Sequence, residues 1–356
     1  MCQLFPSNSF LLKCAAVPAK LYSHFEAPMA RTFHDADFDP GVIRSARVAV
    51  LGYGNQGHAH AQNLRDSKVQ TIVGAREGGA GWLRARADGF EPMSLRDAVR
   101  SADVLVMTLP DVQMGEIFRE SIEPNLRRDH TLLFVHGFNI HYGFIKPPAE
   151  VDVSMVAPKG PGRGLRAEYI KGAGLPALVA VHQNPSGVAL SAALSYAWGI
   201  GSARSLVLET SFREETECDL FGEQAVLCGG VIELVKAGYE TLVAAGYEPE
   251  AAYFECVHET KLIVDLLVTR GLKGLREAIS DTAEWGGYTA GPQVVGKSSR
   301  TAMKKLLKEI QSGEFAREWI EKAATGELET LRSEEAAHPM EPVGDELRRG
   351  MRAASV

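Results

Sequence analysis

Hydrophobic positions along this chain follow two regimes. From Arg47 to about residue 183 they come as short, nearly continuous runs separated by glycine turns and polar spacers. The stretch "RVAVLGYGNQGHAHAQNLRDSKVQTIVGA" reads strand, turn, helix, strand, and "ADVLVMTLP" (102–110), "TLLFVHGFNI" (131–140), "VDVSMVAPKG" (151–160) and "ALVAVH" (177–182) supply further strand-like runs. Apolar runs this short, rich in β-branched residues and bounded by glycine, are typical of strands buried on both faces. Their alternation with helical spacers such as 94–101 predicts an α/β, Rossmann-type doubly wound parallel sheet with right-handed crossovers.

Past about residue 211 the spacing changes to three and four, with Gly229, Gly238 and Gly246 placed as helix ends. The change predicts a second, all-helical domain. Within it "GGYTAGPQVVG" (286–296) reads as a glycine-rich loop and 300–324 as a return to helix. The expected division is 30–210 for the dinucleotide-binding domain and 211–349 for the helical one, with tails at 1–29 and 350–356. Translation starting at Met29 is an alternative account of the first tail. No fixed-period repeat argues for a solenoid.

Composition narrows the class. A chain of 356 residues, 45% hydrophobic, has room for two cores, and a formal net charge of −7 offers no overall basic footprint for nucleic acid. No apolar run is long enough to cross a bilayer. Five cysteines, odd in number and without a C-x-x-C, argue against a disulfide framework or a thiolate metal site and suit a reducing cytoplasm. The first 28 residues lack the basic flank of a secretory signal and the arginines of a transit peptide.

"GYGNQG" places Gly52, Gly54 and Gly57 in a G-x-G-x-x-G turn between strand and helix. Such a turn lets a pyrophosphate approach the backbone at a positive helix N-terminus. About 20 residues on, where an NAD site would carry an acid, the chain has Gly74, Ala75 and Arg76. Arg76 suits a 2′-phosphate, although Glu77 beside it opposes one and a solvated loop arginine is the plain alternative.

Asp219 and Glu223 lie four apart in "CDLFGEQ", and "ECVHE" repeats the spacing with Glu255 and Glu259. Like charges at this spacing repel. Two such helices side by side would offer four oxygens to two Mg²⁺ ions. Each pair alone reads better as a solvated acidic face, the two pairs with their apolar flanks bring the readings level, and Glu214, Glu215 and Glu217 read as surface charges. His136 and Lys159 end strand-like runs, where an open α/β sheet binds its ligands. Ser280 or Asp281 reads as a helix cap, with Glu284 completing a capping box.

Taken together, the motifs resemble ketol-acid reductoisomerase in its short, class I form. The matching stretches include "GYGNQGHAHAQNLRDS", "FVHGFNIHYGFIKPP", "APKGPG", "ETECDLFGEQAVLCGG", "YFECVHETKLIVDLL" and "SDTAEWGGYTAGP", and the likeness runs from about Phe33 to about Arg349. The resemblance implies a knotted helical domain, Mg²⁺ ligands at Asp219, Glu223, Glu255 and Glu259, substrate contact at Ser280, and catalytic roles for His136 and Lys159. It implies cofactor contacts at Tyr53, Gly54, Asn55, Gln56, Asp111 and Gly162, and a homodimer or larger homo-oligomer. The implied reaction is magnesium-assisted alkyl migration in 2-acetolactate or 2-aceto-2-hydroxybutyrate followed by reduction with NADP(H), in branched-chain amino-acid biosynthesis.

Two stretches depart from the family pattern. "REGGAG" keeps Arg76 but has Gly79 and Gly81 where hydroxyl residues would help hold a 2′-phosphate. Each missing charge-assisted hydrogen bond is worth about 1.5 to 3 kcal/mol, which leaves NADH use open. Gly287 and Ala290 stand where the family's "GDYTRGP" has Asp and Arg. Two rivals remain at this point: a metal-free hydroxy acid dehydrogenase, and a non-enzymatic NADP-binding sensor whose helices serve dimerisation.

Overall fold

The computed structural model describes residues 30–351; the first tail, with Met29, Cys2 and Cys14, and residues 352–356 of the second lie outside the described residues. The chain opens with β1 (Thr32–Phe33), α1 (Pro40–Ser45), β2 (Arg47–Leu51), α2 (Gly57–Asp66), β3 (Gln70–Gly74), α3 (Ala80–Ala87), α4 (Leu95–Ser101) and β4 (Val104–Met107). It continues through α5 (Asp111–Ile117), β5 (Thr131–Phe134), α6 (Phe138–His141), β6 (Asp152–Pro158), α7 (Gly162–Ile170), β7 (Ala177–Gln183), α8 (Ala189–Gly199) and β8 (Val207–Glu209). The eight strands form one sheet in the order β1-β8-β7-β6-β5-β4-β2-β3.

Strands β3, β2, β4, β5 and β6 run parallel, as the buried apolar runs predict. The expectation of a wholly parallel sheet is corrected at two places: β7 runs antiparallel to β6, and β1 antiparallel to β8. The reason lies in the connection. Lys159 N–H donates to Pro176 O at 2.8 Å, so the chain leaves β6, makes α7 and re-enters the sheet at the end it left. The run 131–140 also divides, because Gly137 ends the strand and a short helix follows it. Helices cover both faces, and the core splits accordingly into a layer around Val48, Val50, Leu64 and Tyr196 and another around Leu51, Leu105, Met107 and Phe134.

The helical part comprises α9 (Phe212–Gly222), α10 (Gly230–Ala244), α11 (Pro249–Tyr253), α12 (Glu259–Glu277), α13 (Asp281–Val294), α14 (Lys297–Gln311), α15 (Glu314–Lys322), α16 (Glu327–Ala336) and α17 (Met340–Gly350). Ser211 starts α9 by accepting from Glu214 N–H, a conventional cap. The stretch 286–296, expected as a loop, is mostly helix: Ser280 accepts from Ala283 N–H and α13 runs on past three glycines to Pro292 and Val294. Capping and the packing of Arg276 on Tyr288 outweigh the weak helix propensity of glycine there. Among the described residues no helix is long and apolar enough to cross a membrane.

Two π-helical turns, Glu223–Leu227 and Phe254–His258, interrupt this part. Each coincides with one acidic pair. Such insertions re-aim side chains and recur at functional sites.

The helical part docks on the sheet domain beside the end of β5. Phe138 and Tyr142 pack there with Leu220, Ile310, Phe315 and Trp319, and Tyr142 donates its hydroxyl to Ile310 O at 2.9 Å. The carboxylates of α9 are thereby brought over the C-terminal ends of β5 and β6.

Candidate active site

The cofactor turn is shaped by what its glycines touch. Gly52 has φ +100°, and a Cβ there would lie 2.9 Å from Thr108 O. A Cβ on Gly57 would meet Gly52 O at 2.1 Å, whereas Gly54 has nothing within 4 Å. The outer two glycines are thus packing positions and the middle one faces open space, as approach of a pyrophosphate requires. Gly162 is buried behind the turn, where a Cβ would strike Asn55 O at 1.7 Å. Gln56 Nε2 donates to Gly160 O at 3.1 Å, which brings the start of α7 beside the start of α2. Tyr53 is buried and donates its hydroxyl to Asp88 at 2.8 Å, while its carbonyl accepts from Arg84 at 2.9 Å.

A cavity of about 1770 Å³ runs from this turn to the acids of α9. Tyr53, Gly54, Asn55, Gln56, Arg76, Gly79 and Gly81 line one end, His136, Lys159, Asp219 and Glu223 the other, and Asp111 lines the wall close enough to His136, Glu215 and Asp219 to feel their charges. Its volume accommodates a dinucleotide with a small acid, because single-ligand pockets commonly measure about 300–1,000 Å³. Gly79 caps α3 without a side chain and Arg76 is exposed.

Glu215 is the residue sequence reasoning placed wrongly. It is 1% exposed, and its carboxylate accepts from His136 Nδ1 at 3.0 Å, from Gly137 N–H at 3.0 Å and from Lys159 Nζ at 2.7 Å. A usable signal was present: Glu215, Asp219 and Glu223 repeat every four residues, so the face that carries the acidic pair carries a third acid one turn earlier. Its neighbours Glu214 (exposed) and Glu217 (partly buried, 3.4 Å from His141 Nε2) do not reach the cavity wall.

The electrostatics follow from this burial. Desolvation opposes ionisation of Glu215, but hydrogen bonds and charge from His136 and Lys159 outweigh it and hold the carboxyl down at about 2. Burial likewise opposes a charged His136, and the bond and charge of Glu215 outweigh it, raising the imidazole to about 9. Lys159 also bonds Asp219 at 3.0 Å, and the two carboxylates raise its pKa against the cost of burial. Glu223 differs: burial and then the neighbouring Asp219 push it upward, and among the described residues no cation lies within 4 Å of it. Asp111 is raised chiefly by burial.

His136, Glu215 and Asp219 bring ligand atoms within 4.8 Å of one another. With Glu215 committed to two organic cations and His136 charged, the acids beside this cluster that remain to face the cavity are Glu223 and, shared with Lys159, Asp219. Paired carboxylates whose mutual repulsion is incompletely neutralised form a donor set that fits a hard divalent cation. Glu255, Glu259 and Ser280 do not join them within one chain: all three are exposed and none lines the cavity. Packing of the two acidic pairs side by side, as their spacing suggested, does not occur in the single chain.

A dinucleotide turn opening onto a charged His–Glu–Lys cluster under a helical cap defines a nicotinamide-dependent oxidoreductase. Residues 42–205 match the family description "Acetohydroxy acid isomeroreductase, NADPH-binding domain", and residues 212–353 match "Ketol-acid reductoisomerase, C-terminal domain". The chain belongs to the ketol-acid reductoisomerase family. A solved NADH-preferring ketol-acid reductoisomerase from an uncultured archean is 44% identical over 91% of this chain and 100% of that one, with a TM-score of 0.87. More distant likenesses concern the fold alone. A semialdehyde dehydrogenase NAD-binding protein from Cupriavidus necator has 19% identity, 75% and 99% coverage of the two chains and a TM-score of 0.59. A Plasmodium falciparum pyrroline carboxylate reductase has 15% identity, 76% and 98% coverage and a TM-score of 0.50.

Proposed function

We propose that this chain's ketol-acid reductoisomerase reaction, the family's step in branched-chain amino-acid biosynthesis, runs on 2-acetolactate and 2-aceto-2-hydroxybutyrate in the cavity between Gly54 and Glu223. Asp219 and Glu223 would hold magnesium there, two ions being accommodated once Glu255 and Glu259 of a second copy complete the set. When bound, magnesium supplies Lewis acidity for the alkyl shift and the nicotinamide supplies the hydride. The observation that carries this reading is the Glu215-anchored His136 and Lys159 beside two cavity-facing carboxylates.

The chain's own residues have separable tasks. Glu215 fixes the orientation of His136 through Nδ1, leaving Nε2 to order water and move a proton. Lys159 places a positive charge beside Asp219, where oxygen charge develops on the substrate. Leu220, Phe315 and Trp319 supply apolar wall near these groups and restrict water. Ser280 of the second copy contributes a hydroxyl toward the substrate.

NADH serves alongside NADPH in this reading. Gly79 and Gly81 provide no hydroxyl for a 2′-phosphate, Arg76 retains one charge for it, and the similar archaeal enzyme is NADH-preferring. A homo-oligomer is part of this reading, supported by the exposure of Glu255 and Glu259 together with Leu262, Leu267 and Leu272 of α12. The deciding experiment is oxidation of NADH and of NADPH, each with 2-acetolactate and Mg²⁺. Turnover that survives EDTA or Asp219→Asn would sink the magnesium reading and favour a metal-free dehydrogenase.

A further inference from the structure

Gly287 leaves a gap that another residue has filled. A Cβ built at Gly287 would lie 2.5 Å from Arg276 Nη1 and 3.4 Å from its Cζ, so the guanidinium occupies the space an acidic side chain at this position would address. Arg276 stacks instead on the ring of Tyr288, with Cζ 4.4 Å from the centroid. Among the described residues no carboxylate lies within 4 Å of Arg276. The stack bridges the last turn of α12 and the second turn of α13, the helix whose first turn is capped by Ser280.

The place needs a tether. Gly271 breaks α12 with φ 65° and ψ −176°, so the segment after it is aimed independently of the part carrying Glu259. Only Leu275 is buried in that last segment, and α13 has no buried residue. Within one chain, therefore, little apolar packing fixes the corner that presents Ser280, and the stack is a contact that joins its two helices before a second copy covers them. We propose that Arg276 is a positioning residue: its stack on Tyr288, in place of a carboxylate partner that Gly287 cannot supply, sets the orientation of Ser280 toward the acetohydroxy acid. This rests on the reading that Ser280 meets the substrate.

Its test uses the full-length enzyme with Mg²⁺ and saturating NADH. Arg276→Gln and Tyr288→Leu should each raise KM for 2-acetolactate by about two- to fivefold, the range of an exposed cation–π contact. KM for NADH should stay unchanged, and kcat should fall less than KM rises. Tyr288→Phe, which keeps the ring face, should behave as wild type. Adding Gly287→Asp should restore KM in Tyr288→Leu, by giving Arg276 a carboxylate, and should not restore Arg276→Gln.

Hydrogen exchange separates the two layers. Amides of 282–287 should exchange faster in Arg276→Gln and in Tyr288→Leu. Faster exchange with KM unmoved both there and in Ser280→Ala supports the latch and overturns the substrate role of Ser280. If Ser280→Ala raises KM while Arg276→Gln does not, or if Gly287→Asp rescues Arg276→Gln, the latch is overturned. Wild-type exchange in both variants also overturns it.

Discussion

Leu132, Leu133 and Phe134 of β5 are wholly buried, whereas Leu262, Val268 and Leu272 of α12 stand 52%, 78% and 76% exposed. Both segments are apolar by sequence, and only one finds its cover within the chain. The sheet closes its own core, since every parallel strand has helices to pack against. The α12–α13 corner adds exposed Trp285 and Tyr288 to its leucines, an apolar expanse of the kind that marks a protein–protein interface. The proposed functional residues divide the same way. Cofactor turn, His136, Lys159, Glu215, Asp219 and Glu223 meet in one chain, while Glu255, Glu259 and Ser280 are exposed and do not line that cavity.

The sharpest attack on this contrast is at the acids of the self-contained half. Asp219→Asn should reduce turnover with magnesium on the order of 10³-fold. Titration calorimetry should show weakened Mg²⁺ binding with cofactor affinity unchanged. Equal loss of cofactor binding would mean that the two ends of the cavity are not separable.

The uncovered half is probed by charge. Leu267→Asp with Val268→Asp should weaken self-association by about 100-fold or more, because unpaired charge is costly to bury. Sedimentation velocity reads the effect, and activity per chain should fall with dilution. An unchanged oligomer with full activity would break the comparison outright.

Glu215→Gln tests what holds the self-contained cluster together. Glu215 is lowered to about 2 from an ordinary 4.5, so its stabilisation is present above about 4.5 and lost as pH falls through 2. His136 is raised to about 9 from 6.5, so its contribution is present below 6.5 and lost as pH rises through 9. The Tm difference between wild type and Glu215→Gln, measured without metal, should therefore be greatest between pH 4.5 and 6.5 and shrink on either side. A difference flat from pH 3 to 10 would remove the ion pair from the account.

Smallest is the adenosine end. At Gly81 a Cβ would sit 3.4 Å from Tyr53 O, an ordinary contact, whereas at Gly79 it would lie 3.1 Å from Arg76 O. Gly81→Ser should therefore shift the NADPH-to-NADH ratio of kcat/KM toward NADPH by about tenfold, one charge-assisted hydrogen bond. Gly79→Ser should shift it less, because Arg76 must move to admit the side chain.

Much of the self-contained half was legible in the sequence. Short apolar runs and glycine spacing marked the strands and the turn, and strand ends marked His136 and Lys159. What escaped was direction and depth. Nothing in the periodicity of "ALVAVH" distinguishes an antiparallel return from a crossover, and "REETECD" looks like solvated charge until Lys159 and His136 arrive to bury Glu215. The glycines of α13 misled because local propensity is weak against a cap and a tertiary stack.

Sequence alone determined the two regimes of periodicity, the dinucleotide turn, and the two acid pairs four residues apart, since each rests on spacing within one segment. Tertiary structure decided that Glu215 is buried, that β7 runs back along β6, and that only one acid pair reaches the cavity. Those outcomes depend on which distant groups share a desolvated space, where an ion pair or an open face far outweighs any local preference.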